Sequence, residues 1–230
     1  MTSRSSPGRL PVPGPVPAAR PQRLVQARVA VAGGLSSLVG FGALLVLAWR
    51  RAGSPGLDGY LSQLGGPGQP GAGTYRLAIF FIAGGAALVG LAWRLQRPGL
   101  GVAGMLWGCS GLFVISAAVP CAAGCPIPLH DGLGTPANFV HFAVSGGAFA
   151  AAVAAMVLAG RAPDDRVLRR LSTAAARTAS VAFGALAVLM LVFGHGIAGG
   201  VAERVLATIC LGWLVVGAVR LCRRPRVPAD

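Results

Sequence analysis

The stretch ANFVHFAVSGGAFAAAVAAMVL, residues 137–158, decides the fold of this chain. It contains no Asp, Glu, Lys or Arg, and it is long enough to cross a bilayer core, which takes about 20 apolar residues. Similar apolar runs lie on both sides of it, at about Val29–Trp49, Leu77–Trp93, Leu100–Val119, Ala179–Phe193 and Val201–Val219. The sequence therefore predicts an all-α polytopic membrane protein with six transmembrane helices.

The composition supports a membrane protein. Of the 230 residues, 54% are hydrophobic and only 11% are charged, whereas soluble domains carry about 25% charged residues. The net charge of +14 does not indicate a nucleic-acid partner, because basic loops are how membrane proteins fix their orientation. We expect membrane lipids as partners and no nucleic acid.

The arginines predict the orientation of the helices. All 20 basic residues are arginine, and only Arg50, Arg51, Arg76 and Arg204 fall on the side of the first outer loop. The other side carries Arg4, Arg9, Arg20, Arg23, Arg28, Arg94, Arg97, Arg161, Arg166, Arg169, Arg170, Arg177, Arg220, Arg223, Arg224 and Arg226. Cytoplasmic loops carry the excess of basic residues. Both termini are therefore predicted to be cytoplasmic.

The chain divides into three parts. Residues 1–28 are rich in Pro, Arg and Ser, a composition typical of disorder, and we predict a basic cytoplasmic tail there. Residues 29–220 form the predicted transmembrane domain, whose first outer loop is rich in Gly and Pro. Residues 221–230 form a short basic tail.

Two cysteines stand in the second outer loop, in VPCAAGCPIPLHD, residues 119–131. An extracytoplasmic compartment is oxidising, so a disulfide persists there, and we predict a small loop closed by Cys121 and Cys125. Free thiols or a pair of metal ligands are the alternatives. The spacing is C-x3-C and not the C-x-x-C of redox catalysts.

Polar residues gather at the outer side of the predicted bundle. Asn138, His141 and Ser145 recur at i, i+3 and i+7 and so share one helical face, and Thr135 followed by Pro136 is a helix-start pattern. The candidate polar site comprises Asp58, Ser62, His130, Asp131, Asn138, His141, His195, Glu203 and Arg204.

Two interpretations of these polar residues compete. In the first they hydrogen-bond to one another and fix loops to helix ends, and Glu203 pairs with Arg76 or Arg204. In the second they line an outward-facing pocket, in which the histidines and carboxylates would be competent metal ligands and would activate water to hydrolyse a lipid. No dense ligand motif such as H-E-x-x-H supports a metal, so we predict no cofactor.

Four short motifs resemble a known family. They are LSQLGGPGQPGAGTYR at residues 61–76, VPCAAGCPIP at 119–128, NFVHF at 138–142 and GGVAERV at 199–205. Between Val29 and Arg220 the chain is similar to the bacterial and archaeal membrane proteins grouped as domain of unknown function 998. The resemblance implies six helices and a bacterial plasma membrane location, but no reaction. It draws attention to Ser62, Leu64, Gly65, Pro120, His141, Glu203 and Arg204.

The leading hypothesis is a non-catalytic membrane protein that acts through lipids or a partner at its extracytoplasmic face. A metal-dependent lipid hydrolase that uses the outer histidines is one alternative, and a small-solute transporter is another. The oligomeric state stays open.

Overall fold

The computed structural model describes residues 20–52, 59–97, 101–122, 124–127, 135–162, 165–194 and 196–223. Within these ranges the chain forms six long helices and one short 3-10 helix, and it forms no strand. The long helices are α1 (Arg20–Ala52), α2 (Ala72–Gln96), α3 (Gly101–Ala118), α4 (Pro136–Gly160), α5 (Arg166–Phe193) and α6 (Ile197–Arg223). The 3-10 helix, η1, spans Leu61–Gly65 between α1 and α2.

All six long helices of the described part are long and apolar enough to cross a membrane. The shortest, α3, has 18 residues, which at a rise of about 1.5 Å per residue reach about 27 Å, close to the thickness of a bilayer core. Large apolar side chains such as Val181, Phe193 and Trp49 are 68% exposed or more, as a surface that faces lipid tails requires. The predicted six-helix membrane fold is confirmed.

The six helices run alternately up and down. We call the end at which α1, α3 and α5 finish and α2, α4 and α6 begin the distal end, because it lies opposite the start of α1 and the end of α6. At the opposite, proximal end, Gln26 of α1 donates to the carbonyl of Leu221 of α6 at 3.2 Å. Asp165 caps α5 by accepting the N–H of Leu168 at 2.8 Å, and it accepts from Arg220 of α6 at 3.1 Å.

Helices α1 and α5 begin well before the apolar runs that predicted them. Helix α1 starts at Arg20, so residues 20–28, which the sequence assigned to a disordered tail, are helical. Pro21 fits because its missing N–H lies in the first turn, where no intrahelical partner exists. Helix α5 starts at Arg166 and not near Ala179, so its basic first part is helical too. Residues 1–19 lie outside the described residues.

The predicted boundary between the transmembrane domain and the C-terminal tail also differs from the structure. Helix α6 continues to Arg223, so residues 221–223 extend a transmembrane helix rather than begin a tail. Leu221 is buried, at 3% exposed, because it packs in the proximal core. Residues 224–230 are outside the described part of the chain.

Helices α1 and α2 cross closely because glycines line their contact. A Cβ on Gly33 would come within 2.9 Å of the carbonyl oxygen of Gly85, and one on Gly40 would meet the carbonyl oxygen of Ala78. The hydroxyl of Ser36 bridges the same pair of helices by donating to the carbonyl of Phe81 at 2.7 Å. Small residues permit this approach of helix backbones in a membrane.

Candidate functional site

Residues 59–71, which precede α2, fold over the distal end of the bundle. Gly59 and Gly71 adopt positive φ angles of 80° and 93°, which glycine reaches without steric strain, and between them η1 turns back into the protein. Leu61 and Leu64 are buried. Gly65 lies against the ring of Tyr75, where a Cβ would overlap the ring atoms. Residues 59–71 are thus packed against the helices, and we call them the distal cover.

Glu203 of α6 holds the start of η1. Its Oε2 accepts the backbone N–H of Leu61 at 2.5 Å, and the backbone of Ser62 hydrogen-bonds to the same carboxylate. The first N–H groups of a helix have no partner within the helix, and a carboxylate is a favourable one. Glu203 lies about 9 Å along the axis from the start of α6, so it does not open the helix as the sequence suggested.

Arg204 binds the same loop through a different contact. Its guanidinium donates to the carbonyl of Gly59 at 3.1 Å and to the carbonyl of Gly200 at 2.8 Å. Glu203 and Arg204, which are adjacent in α6, therefore hydrogen-bond to an N–H group and to a C=O group of the same loop. This arrangement favours the structural interpretation of Glu203 and Arg204.

Tyr60 connects the cover to the end of α5. Its hydroxyl donates to the carbonyl of Gly194 at 2.8 Å, and its ring rests on Gly199, where any side chain would collide with it. Burial, and then the charge of Glu203, raise the pKa of Tyr60 to about 12. The hydroxyl therefore remains a hydrogen-bond donor at every physiological pH.

The second distal loop is closed by a disulfide. Cys121 and Cys125 are bonded, with their Cα atoms 5.0 Å apart, and the predicted disulfide is confirmed. Their sulfur atoms lie 3.9 Å from the carbonyl oxygen and the hydroxyl of Ser62, and Gln63 donates to the carbonyl of Gly124 at 3.2 Å. The disulfide loop and η1 therefore pack against each other.

Asn138 fixes the disulfide loop to α4. Its side-chain oxygen accepts the N–H of Ala122 at 2.8 Å, and its amide donates to the carbonyl of Pro126 at 3.4 Å. Thr135 caps the same helix through the N–H of Asn138. Asn138 is fully buried and occupied by these bonds, so its role here is to hold the loop.

His141 of α4 is buried against the end of α3. It is 1% exposed, and its Nδ1 lies 3.0 Å from the carbonyl oxygen of Val119 and 3.2 Å from that of Ser116. Two acceptors at one ring nitrogen require that nitrogen to carry the proton, so in the neutral ring Nε2 is a bare acceptor. Within the described part of the chain, this buried Nε2 has no hydrogen-bond partner.

A cavity of about 260 Å³ lies inside the bundle and is lined by residues of all six long helices and η1. Its polar lining consists of a few side chains: Ser62, Tyr75, Ser116, His141, Ser145 and Glu203. The remaining walls are largely apolar and include Phe113, Phe149, Phe183, Met190 and Trp213. Ser116 and Ser145 hydrogen-bond to each other at 2.8 Å. The cavity therefore joins an apolar chamber to a small polar region.

The sequence-predicted site residues that the structure describes divide into two groups. Ser62, His141 and Glu203 line the cavity, whereas Asn138 and Arg204 bind loop backbone. Asp58, His130, Asp131 and His195 lie outside the described residues. Sequence reasoning missed Ser116, whose only signal was a hydroxyl near the end of an apolar span, and the aromatic walls, which look like ordinary membrane helix.

Three possible metal ligands of the described part lie together. The sulfurs of Cys121 and Cys125 and a ring nitrogen of His141 are within 4.8 Å of one another. Metals bind cysteine as thiolate, and these two sulfurs are joined to each other. In the disulfide form His141 is therefore the one competent ligand of the three.

Comparison with known proteins identifies the family. Neither the curated proteins nor the solved structures give a match to this chain. The family model described as Protein of unknown function (DUF998) matches residues 31–220, which include all the contacts of the distal end described above. The chain therefore belongs to the DUF998 family of membrane proteins.

Proposed function

We propose that this protein is a non-catalytic binding protein for an amphiphile of the membrane, which it holds in the cavity between its helices. The observation that supports the proposal is the largely apolar chamber between the membrane-spanning helices, whose lining carries only a few polar side chains. Ligand sites are typically apolar cavities with a few placed polar groups.

The position of the cavity favours a ligand that arrives from the bilayer. The helices around the cavity are the membrane-spanning ones, so molecules dissolved in the bilayer surround them. The arginine distribution predicts that the distal end is extracytoplasmic, which would put the polar part of the ligand toward the outer face.

The hydrogen bonds of the polar residues favour binding over catalysis. A nucleophilic serine needs a neighbouring base with a free lone pair. Ser116 Oγ lies 3.4 Å from Nδ1 of His141, but that nitrogen carries its proton toward two carbonyls. Glu203 is engaged by the backbone of η1. The described part of the site therefore contains no activated serine.

Mass spectrometry of lipids that copurify with the protein tests the proposal. Gly146 lines the cavity, and a Cβ there would meet nothing within 4 Å, so Gly146→Leu places a larger side chain in the lining with open space at its first carbon. Gly212→Leu is the matched control, because Gly212 of α6 also has open space but is exposed on the outside of the bundle.

We expect a bound amphiphile in the wild-type protein and in Gly212→Leu, and its loss from Gly146→Leu. A wild-type protein that carries no bound amphiphile, or a ligand that Gly146→Leu retains in full, would refute binding in this cavity.

A further inference from the structure

We infer that the arginine-bearing start of α5 binds the head group of an anionic phospholipid, whose acyl chains lie along the same helix toward the distal end. The inference concerns the outer surface of the bundle and does not depend on the cavity. It follows from the arrangement of the arginines on α5, from the exposed side chains that continue their line, and from the length of the helix.

Four arginines form one exposed face of α5, which we call the basic face: Arg166, Arg169, Arg170 and Arg177. Relative to the first of them they lie at i+3, i+4 and i+11, and residues at these spacings share one side of a helix. The opposite side carries Leu168, Ser172 and Ala176, which are buried against the bundle. The basic face therefore points away from the protein.

The two carboxylates of the described residues do not neutralise the basic face. Asp165 is 2% exposed, and it already accepts the N–H of Leu168 and the guanidinium of Arg220. Glu203 lies near the distal end, at the other end of the bundle. A group of like charges without compensating neighbours attracts a partner of opposite charge. The basic face therefore favours an anion.

Exposed apolar side chains continue the line of the basic face toward the distal end. Val181 and Val188 follow Arg170 by 11 and 18 positions, which are about three and five full turns of a helix. They are 74% and 57% exposed, as side chains in contact with lipid tails are. A phospholipid has the same order of chemistry, a phosphate followed by apolar chains. Its head can meet the arginines while its chains pass Val181, a contact that a soluble phosphate lacks.

The length of α5 places the basic face at the level of the head groups. Its 28 residues reach about 42 Å at about 1.5 Å per residue, whereas the hydrocarbon core of a bilayer is about 30 Å thick. The distal end of α5 is apolar up to Phe193, which is 68% exposed, so the excess of about 12 Å falls at the arginine end. About eight residues make up this excess, and they include Arg166, Arg169 and Arg170.

The remaining arginine, Arg177, starts slightly inside the hydrocarbon core. A long arginine side chain extends along an apolar surface and brings its charged end to the head-group layer. Guanidinium groups bind phosphate oxygens through paired hydrogen bonds, and basic clusters next to a transmembrane helix attract anionic lipids. A zwitterionic head carries its own ammonium group, which the basic face repels. A head with a net negative charge is therefore preferred.

The test is native mass spectrometry of the detergent-solubilised full-length protein. It is titrated with dioleoyl phosphatidylglycerol, which is anionic, with dioleoyl phosphatidylethanolamine, which is zwitterionic, and with glycerol 3-phosphate, which is a soluble phosphate without chains. We expect phosphatidylglycerol to bind on the order of tenfold more tightly than phosphatidylethanolamine, since each arginine near a membrane surface contributes roughly a fivefold gain. Glycerol 3-phosphate should bind still more weakly.

The variant Arg166→Gln/Arg170→Gln/Arg177→Gln removes three charges of the basic face, and glutamine is about as good a helix former as arginine. The matched control is Arg23→Gln/Arg28→Gln/Arg223→Gln, which removes the same charge from exposed arginines of α1 and α6 at the same end of the bundle. The α5 variant should lose most of the preference for phosphatidylglycerol, and the control should keep it within about twofold.

Three results would overturn the inference. An equal loss in the control would mean that net charge alone attracts the lipid. A wild-type protein without the preference would mean that the basic face does not select an anionic head. Binding of glycerol 3-phosphate as tight as that of phosphatidylglycerol would mean that the ligand is a soluble anion.

A measurement on the wild-type protein decides the matter if the α5 variant does not fold. The protein is placed in phosphatidylcholine vesicles that contain phosphatidylglycerol or phosphatidylethanolamine with a diazirine in the acyl chain, and the crosslinks are mapped by peptide mass spectrometry. Adducts at Val181 should be enriched with the anionic lipid relative to adducts at Val39, an exposed residue of α1. The same ratio of the two lipids at both residues would contradict the inference.

Discussion

The carboxylate of Glu203 accepts the backbone N–H of Leu61 at 2.5 Å, across 142 positions of the chain. This contact joins the last transmembrane helix to the loop between the first two. It also places η1 at the polar region of the cavity, where Ser62 is part of the lining. The distal cover and the cavity are therefore one structural unit.

Loss of the Glu203 carboxylate should destabilise the protein. Glu203→Ala leaves the N–H of Leu61 without its acceptor, which costs about 1–3 kcal/mol, and Glu203→Gln should lose less because its amide oxygen still accepts. Thermal unfolding in detergent measures the effect. Thr208→Ala is the control, since the exposed Thr208 donates to the carbonyl of Arg204 in its own helix. An unfolding temperature of Glu203→Ala equal to that of the control would contradict the role given to this carboxylate.

The cysteines should react in two classes. The chain has five cysteines, of which Cys109, Cys210 and Cys222 are free and Cys121 and Cys125 are bonded. Denatured protein without reductant should take up three maleimide groups per chain, and five after reduction, as read by intact mass. Five groups without reductant would mean that the second distal loop is open.

A Gly→Ala substitution should have different effects on stability at two glycines of α1. Gly40→Ala places a methyl group against the carbonyl of Ala78, and overpacking of this kind costs about 1–3 kcal/mol. Gly42→Ala meets nothing within 4 Å, and it should be neutral or should stabilise the helix by up to about 1 kcal/mol. Thermal unfolding of the two variants compares them directly. Equal stabilities would argue against the close contact between α1 and α2.

The arginine distribution predicts a cytoplasmic C-terminus. A fluorescent protein fused after Asp230 should fold and fluoresce, whereas alkaline phosphatase at the same position should be inactive, because it needs an oxidising compartment for its disulfides. Fusions at Gly68, in the loop between α1 and α2, should behave in the opposite way. The reverse result for both pairs of fusions would mean that the C-terminus is extracytoplasmic.

The sequence predicted the helices well because apolar length is a local property. It placed the start of α5 late, since Arg166, Arg169 and Arg170 lower the hydropathy of a segment that is nonetheless helical. It also predicted the disulfide, whose two partners are only four residues apart.

The candidate site was harder to predict because it depends on contacts that are distant in sequence. His141 was identified from its helical face, but its bare Nε2 is a consequence of the carbonyls of Ser116 and Val119. The contact of Glu203 with Leu61 carries no local pattern. The sequence suggested Arg76 or Arg204 as a partner of Glu203, and the charge of Arg204 does act on this carboxylate. The cavity itself arises from the packing of six helices, which composition does not determine.

The central claim is that a membrane amphiphile occupies the space between the helices. Photocrosslinking with a long-chain alcohol that carries a diazirine in its chain, followed by peptide mapping, tests it most directly. We predict adducts on the cavity walls, at residues such as Phe149, Phe183 and Trp213, which unlabelled hexadecan-1-ol competes away and Gly146→Leu abolishes. Adducts confined to outward-facing residues such as Val181 and Val188, insensitive to competitor, would contradict the claim.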